Sequence, residues 1–175
     1  KSGIENVVAN LGTSLTDKQI STLNQFFDDI IICFDGDESG YNAAVRAAEN
    51  SIKELKPEKE ISFLFLPEKE DPDSYINKNG KKSVRDFTNQ TKLSIHQFIF
   101  SHYKKQTENN PSSRAVFEKK LREIANTIKD DFIKKYVLEY FLENIAELTP
   151  HINQNKKKFY VKKTKTLETT KKYFN

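Results

Sequence analysis

The stretch IIICFDGDESG, residues 30–40, sets the strongest limit on how this chain can fold. Five apolar residues in succession, three of them isoleucine, predict a strand over 30–34 buried on both faces. Two acids follow at its end. Asp35 and Asp37 are two residues apart, so in extended backbone they project the same way. Carboxylates set side by side repel unless a cation neutralises them. Hard oxygen donors of this kind suit Mg2+ or Mn2+, with water and phosphate oxygens as further ligands. Gly36 predicts a tight bend between the acids, and Gly40 predicts a close approach of the element that follows.

The neighbouring sequence extends this strand into an α/β unit. A short strand is expected over 6–10, closed by Leu11-Gly12-Thr13. A helix should open at Thr16, where Thr16 and Gln19 form a capping box and Ile20, Leu23 and Phe27 share a face. A second helix is expected over 38–55, with Tyr41, Ala44, Val45, Ala48, Ile52 and Leu55 as one stripe. A further strand over 61–66 should end at Pro67. Alternating strands and helices imply right-handed crossovers and a parallel sheet, with ligands at the carboxyl ends of the strands. At that edge the acid pattern recurs: Asp71 and Asp73 flank Pro72, so four carboxylates are expected to converge. Gly12 and Thr13, at a strand-to-helix turn on the same edge, are candidates for a phosphate cradle.

All five glycines lie in the first 80 residues, and the remaining 95 have none. This marks a change to all-helical architecture. Segments are expected over 93–105 (Ile95, Phe98, Ile99, His102), from a turn and cap at Asn109-Asn110-Pro111-Ser112-Ser113 to 129 (Phe117, Leu121, Ile124, Ile128), and from a cap at Asp131 (Leu138, Phe141, Ile145, Leu148). Their apolar faces should pack as a small bundle. The expected divisions are 1–92, 93–149 and a Lys-rich linker or tail over 150–175. That tail carries eight lysines and one glutamate after Pro150, which leaves residues 1–150 net acidic in a chain of net charge +4. Charge alone therefore does not predict a nucleic-acid-binding body.

Composition excludes several classes. No apolar run is long enough to span a bilayer, and no signal-peptide pattern follows Lys1. A single cysteine, Cys33, excludes an intrachain disulfide and fits a cytoplasmic protein. The three histidines lack zinc-ligand spacing. The chain does not start with Met, which suggests a piece of a longer protein.

The acid pairs have other readings. Asp35-Gly36-Asp37 could be a helix-capping turn, and Asp71-Pro72-Asp73-Ser74 a turn with its cap at Asp73. An EF-hand fails, because position twelve of the loop is Arg46 rather than Glu. In a dehalogenase-type phosphatase Asp35 would be a nucleophile rather than a ligand.

In order and spacing, LGTSLT (11–16), IICFDGDESGYNAAVRA (31–47) and FLFLPEKEDPDSYI (63–76) resemble the Toprim domain of bacterial DnaG-type DNA primases. The segment opening at LSIHQFIF (93–100) resembles the helices that follow it. The resemblance implies a Toprim-like sheet with flanking helices, followed by a helical bundle. It implies Asp35 and Asp37 as catalytic metal ligands, Asp71 and Asp73 as further ligands, and Mg2+ or Mn2+ as the metal. It implies nucleotidyl transfer from ribonucleoside triphosphates on a single-stranded DNA template. It also implies docking to a replicative helicase through a domain not recognisable here. The family's Glu-Gly-Tyr-x-Asp motif is absent, and the first Toprim strand is expected upstream of Lys1. Glu38 departs from the basic or small residue expected there. With the basic template groove also expected upstream, this chain alone should bind metal weakly and make no primers. A Toprim nuclease or topoisomerase, or a docking module without catalysis, are the alternatives.

Overall fold

A computed structural model describes residues 6–9, 15–68 and 70–148. Its centre is a pair of parallel strands, β1 (Asp29–Gly36) and β2 (Glu60–Glu68), with Ile30 opposite Ile61 and Phe34 opposite Phe65. A two-residue strand, β3 (Leu93–Ser94), joins β2 in the antiparallel sense. The helices are α1 (Asp17–Phe26), α2 (Glu38–Ser51), α3 (Pro72–Thr91), α4 (Ile95–Lys105), α5 (Pro111–Asn126) and α6 (Asp131–Glu147). Among the described residues no helix is long and apolar enough to cross a membrane.

Local chemistry explains where most elements start. Thr16 accepts from the Gln19 amide, and Gln19 Oε1 accepts in return from the Thr16 amide, so the expected capping box forms. Phe27 does not join the buried face. It is the C-cap of α1, in extended backbone and half exposed. The second helix stops at Ser51 and tightens into a 3-10 turn over Ile52–Glu54, which shortens the helix expected to reach residue 55. Within the turn and cap expected over 109–113, Asn110 is the residue that caps α5. Asp130, not Asp131, caps α6, accepting from the amides of Phe132 and Ile133.

Four further expectations change. Residues 6–9 form no strand: Asn6 has φ 64°, Val7 and Val8 are exposed, and among the described residues no neighbouring strand supplies the ladder that extended backbone requires. The first strand of the sheet, β1, is buried on one face only. Ile30 is covered, but Ile31 and Cys33 on the other face are exposed. Pro67 does not end β2. A register shift between Phe34 and Gly36 carries the pairing on to Glu68, and such an irregularity tolerates a residue without an N–H. Residues 93 and 94 are strand rather than helix, and α4 begins behind them at the Ser94 cap. The third helix, unassigned in the sequence, bends at Gly80, where φ is 74° and a β-carbon would strain.

The core is continuous from Ile20 to Phe141. An aromatic group joins the sheet to α4. The Phe98 ring lies 5.2 Å from Phe63, 5.3 Å from Phe65 and 5.6 Å from Tyr41, centroid to centroid. The fourth helix thus packs on β2 and α2 as well as on α5, and α5 packs on α6. Polar ties reinforce the same joints. Buried Glu54 pairs with Lys129, and Glu49 accepts from Tyr103 Oη and lies 3.3 Å from Lys120 Nζ. Truncating Phe141, which has no exposed surface, should therefore loosen the whole chain. Phe141→Ala is expected to cost about 3–5 kcal/mol, read as one cooperative shift in a denaturant titration followed by both circular dichroism and tyrosine fluorescence.

Candidate metal centre

The site lies where β1 and β2 end, and Gly36 governs its geometry. A β-carbon on Gly36 would stand 2.0 Å from the Pro67 carbonyl oxygen and 2.5 Å from that of Leu66. Glycine is required because the two strand ends nearly touch, rather than for the tight bend expected of it. A β-carbon on Gly40 would stand 2.4 Å from the Asp35 carbonyl oxygen. That is the close approach of helix to strand end expected there. The Gly36 amide donates a long hydrogen bond, 3.4 Å, to the Glu70 carbonyl. The backbone bearing Asp35 and Asp37 is thus joined to the backbone bearing Asp71.

The four acids differ in local role. The Asp35 carboxylate ends β1, is exposed and has no hydrogen-bond partner among the described residues. Asp37 is the N-cap of α2, and its Oδ1 accepts from the Gly40 amide at 2.7 Å. Asp71 is the N-cap of α3, with Oδ1 accepting from the Ser74 amide at 2.8 Å and Ser74 Oγ accepting from the Asp71 amide at 3.0 Å. The cap is Asp71, not Asp73 as the turn reading had it, because Pro72 occupies the first helical position, where a missing N–H costs nothing. Asp73 lies in the first turn and accepts from Asn77. The capping readings and the ligand readings are compatible, since each cap engages one carboxylate oxygen. Glu38, the first residue of α2, adds a further negative charge.

All four acids are exposed. Among the described residues, no three His, Cys, Asp or Glu side chains are grouped closely enough to hold a metal ion. The backbone therefore brings the two acid motifs to one sheet edge, but their carboxylates do not close on a common point. The candidate cradle at Gly12 and Thr13 lies outside the described residues.

Three residues of this edge were not singled out by sequence reasoning. Glu70 accepts from Ser74 Oγ at 2.5 Å and pairs with Lys78. The Lys78 hydrogen bond, then that of Ser74, holds the Glu70 carboxyl below the usual carboxylate range. The spacing 70, 74, 78 is a helical face and was open to notice.

The family described as Toprim-like matches residues 1–76, the part of the chain that carries these paired strand-end acids beside a helix N-terminus on a parallel sheet. The DNA primase of Rickettsia typhi is 32% identical over 146 residues, covering 83% of this chain and 24% of that protein. A solved DnaG catalytic core superposes with a TM-score of 0.78 at 28% identity, covering 85% of this chain and 47% of that one. A DnaG primase catalytic domain solved bound to ssDNA superposes with a TM-score of 0.75 at 28% identity, covering 81% and 46%. Together these matches support a Toprim fragment of a DnaG-type primase. It spans less than a quarter of the length of the curated relatives it matches. The Toprim primase family is metal-dependent in general.

Capping and charge can be separated by substitution. Asp37→Ala and Asp71→Ala should each lose about 1 kcal/mol of stability, whereas Asp37→Asn and Asp71→Asn, which still cap, should stay close to wild type. Thermal melts of the four variants check this.

Proposed function

We propose that this chain forms the metal-binding part of the catalytic core of a DNA primase. In this reading it serves nucleotidyl transfer from ribonucleoside triphosphates on single-stranded DNA. The observation that carries the proposal is the junction of the two acid motifs at one sheet edge, through Gly36 and Glu70, in a chain aligned with DnaG catalytic cores. Asp35 and Asp37 are the catalytic ligands, and Asp71 and Asp73 complete the set. The donor chemistry fits Mg2+ or Mn2+. Asp35 has no competing partner among the described residues, and Asp37 and Asp71 each use only Oδ1 in capping. A bound metal would supply charge neutralisation and orientation of substrate phosphates.

The single-stranded DNA seen with a related catalytic domain supports the same template class here. A replicative helicase partner, a cytoplasmic location, the phosphate role of Gly12 and Thr13 and the divisions at 92 and 149 belong to the same reading. Exposed acids repel a polyanionic template unless metal is present, which fits a chain that relies on a basic groove elsewhere for DNA.

The test is Mn2+ calorimetry on this chain, together with primer synthesis by a primase that carries it. Asp35→Asn should abolish the site-dependent heat, since Asn provides no charge. Asp35→Ala in the longer enzyme should reduce primer yield by at least about a hundredfold without lowering the melting temperature. Wild-type heat from Asp35→Asn, or normal primer yield from Asp35→Ala, would overturn the assignment.

A further inference from the structure

We infer that Glu70, clamped by Lys78 and Ser74, is a positioning residue that sets the spacing between the two acid motifs. The inference rests on the metal reading above and adds a residue to it. Among the described residues, Glu70 is the one whose main chain meets the first motif while its side chain is anchored on the helix of the second. Its carbonyl accepts from Gly36, between Asp35 and Asp37. Its own amide donates to the Pro67 carbonyl at 3.0 Å, the oxygen against which Gly36 is packed. Its carboxylate reaches forward to Ser74 and Lys78, one and two turns into α3.

The charge of Glu70 is unlike that of its neighbours. Its side chain is 15% exposed, while Asp71 and Asp73 beside it are open to solvent. Both its oxygens are engaged, Oε2 with Ser74 and Oε1 with Lys78. A carboxylate so occupied is a poor metal ligand but a good brace. Without it, the backbone at Glu70 would lose its side-chain tie to α3, and the long Gly36 hydrogen bond would lose its fixed acceptor. Groups that orient metal ligands from behind typically change metal affinity 10–100-fold when removed.

A brace and a simple charge effect predict different signs. If Glu70 and Lys78 acted only through their charges, Glu70→Ala would weaken Mn2+ binding and Lys78→Ala would strengthen it. Acting as a brace, they should both weaken it, by about tenfold, and the double variant should be no worse than either single one. Amide hydrogen exchange of Gly36, followed by NMR without metal, reads the brace directly. It should quicken by about tenfold in both single variants. Opposite signs in the Mn2+ titrations, or unchanged Gly36 exchange in both variants, would overturn the inference. If wild type gives no site-dependent Mn2+ heat, the metal reading fails, and the Gly36 exchange still decides the brace. Lys78 is 65% exposed, so Lys78→Ala keeps the test free of folding defects.

Discussion

The site depends on one steric fact: the Pro67 carbonyl occupies the space where residue 36 would carry a side chain. Two strand ends that approach this closely bring their loops together without any bond between the acids themselves. The proline contributes because it cannot donate to the ladder, and the register shift beside it carries the pairing one step further, to Gly36 and Glu68. Gly40 repeats the device on the other side of Asp35, where the first turn of α2 meets the strand end. Asp35 is therefore held between two glycine-dependent contacts, while its carboxylate stays in solvent. A closely packed backbone with an exposed side chain suits the ligand role proposed for Asp35.

The helices after the sheet serve that edge from a distance. Phe98 packs against two rings of β2 and one of α2, so α4 holds the sheet against the helix whose N-terminus carries Asp37. Glu54 with Lys129, and Glu49 with Tyr103 and Lys120, fasten the same α/β unit to α4, α5 and the turn before α6. Buried Glu54 needs its lysine, because an unpaired carboxylate at that depth would be strongly destabilising. The apolar core and these polar ties join the sheet and the helices into one body, with the acid motifs at one rim.

Much of this was legible in the residues. Thr16 with Gln19, Asn110 with Pro111, and the alanine-rich stripe of α2 are local signals, and local signals decide local structure. The errors arose where a neighbour decides. Nothing in Ile30 to Phe34 reports that a helix roofs the second face over β2 but leaves Ile31 and Cys33 of β1 uncovered. Val7 and Val8 have strand propensity, but propensity does not make a strand without a partner edge. The glycine-containing segment 72–91 has no clear apolar period, and its helix is broken at Gly80.

By itself the sequence determined the identity and spacing of the acids, the caps that start most helices, and the parallel order of the two main strands. Those follow from residue type and period, which the chain carries within a few residues. Tertiary structure decided which oxygens are free, that Asp37 and Asp71 also serve as caps, that Glu70 bridges the motifs, and that the four carboxylates stand apart. The physical reason is that each of these depends on contacts between segments distant in sequence, and above all on how closely residue 36 approaches residue 67. The chain specifies the parts of the site, and the packing of two strand ends specifies their arrangement.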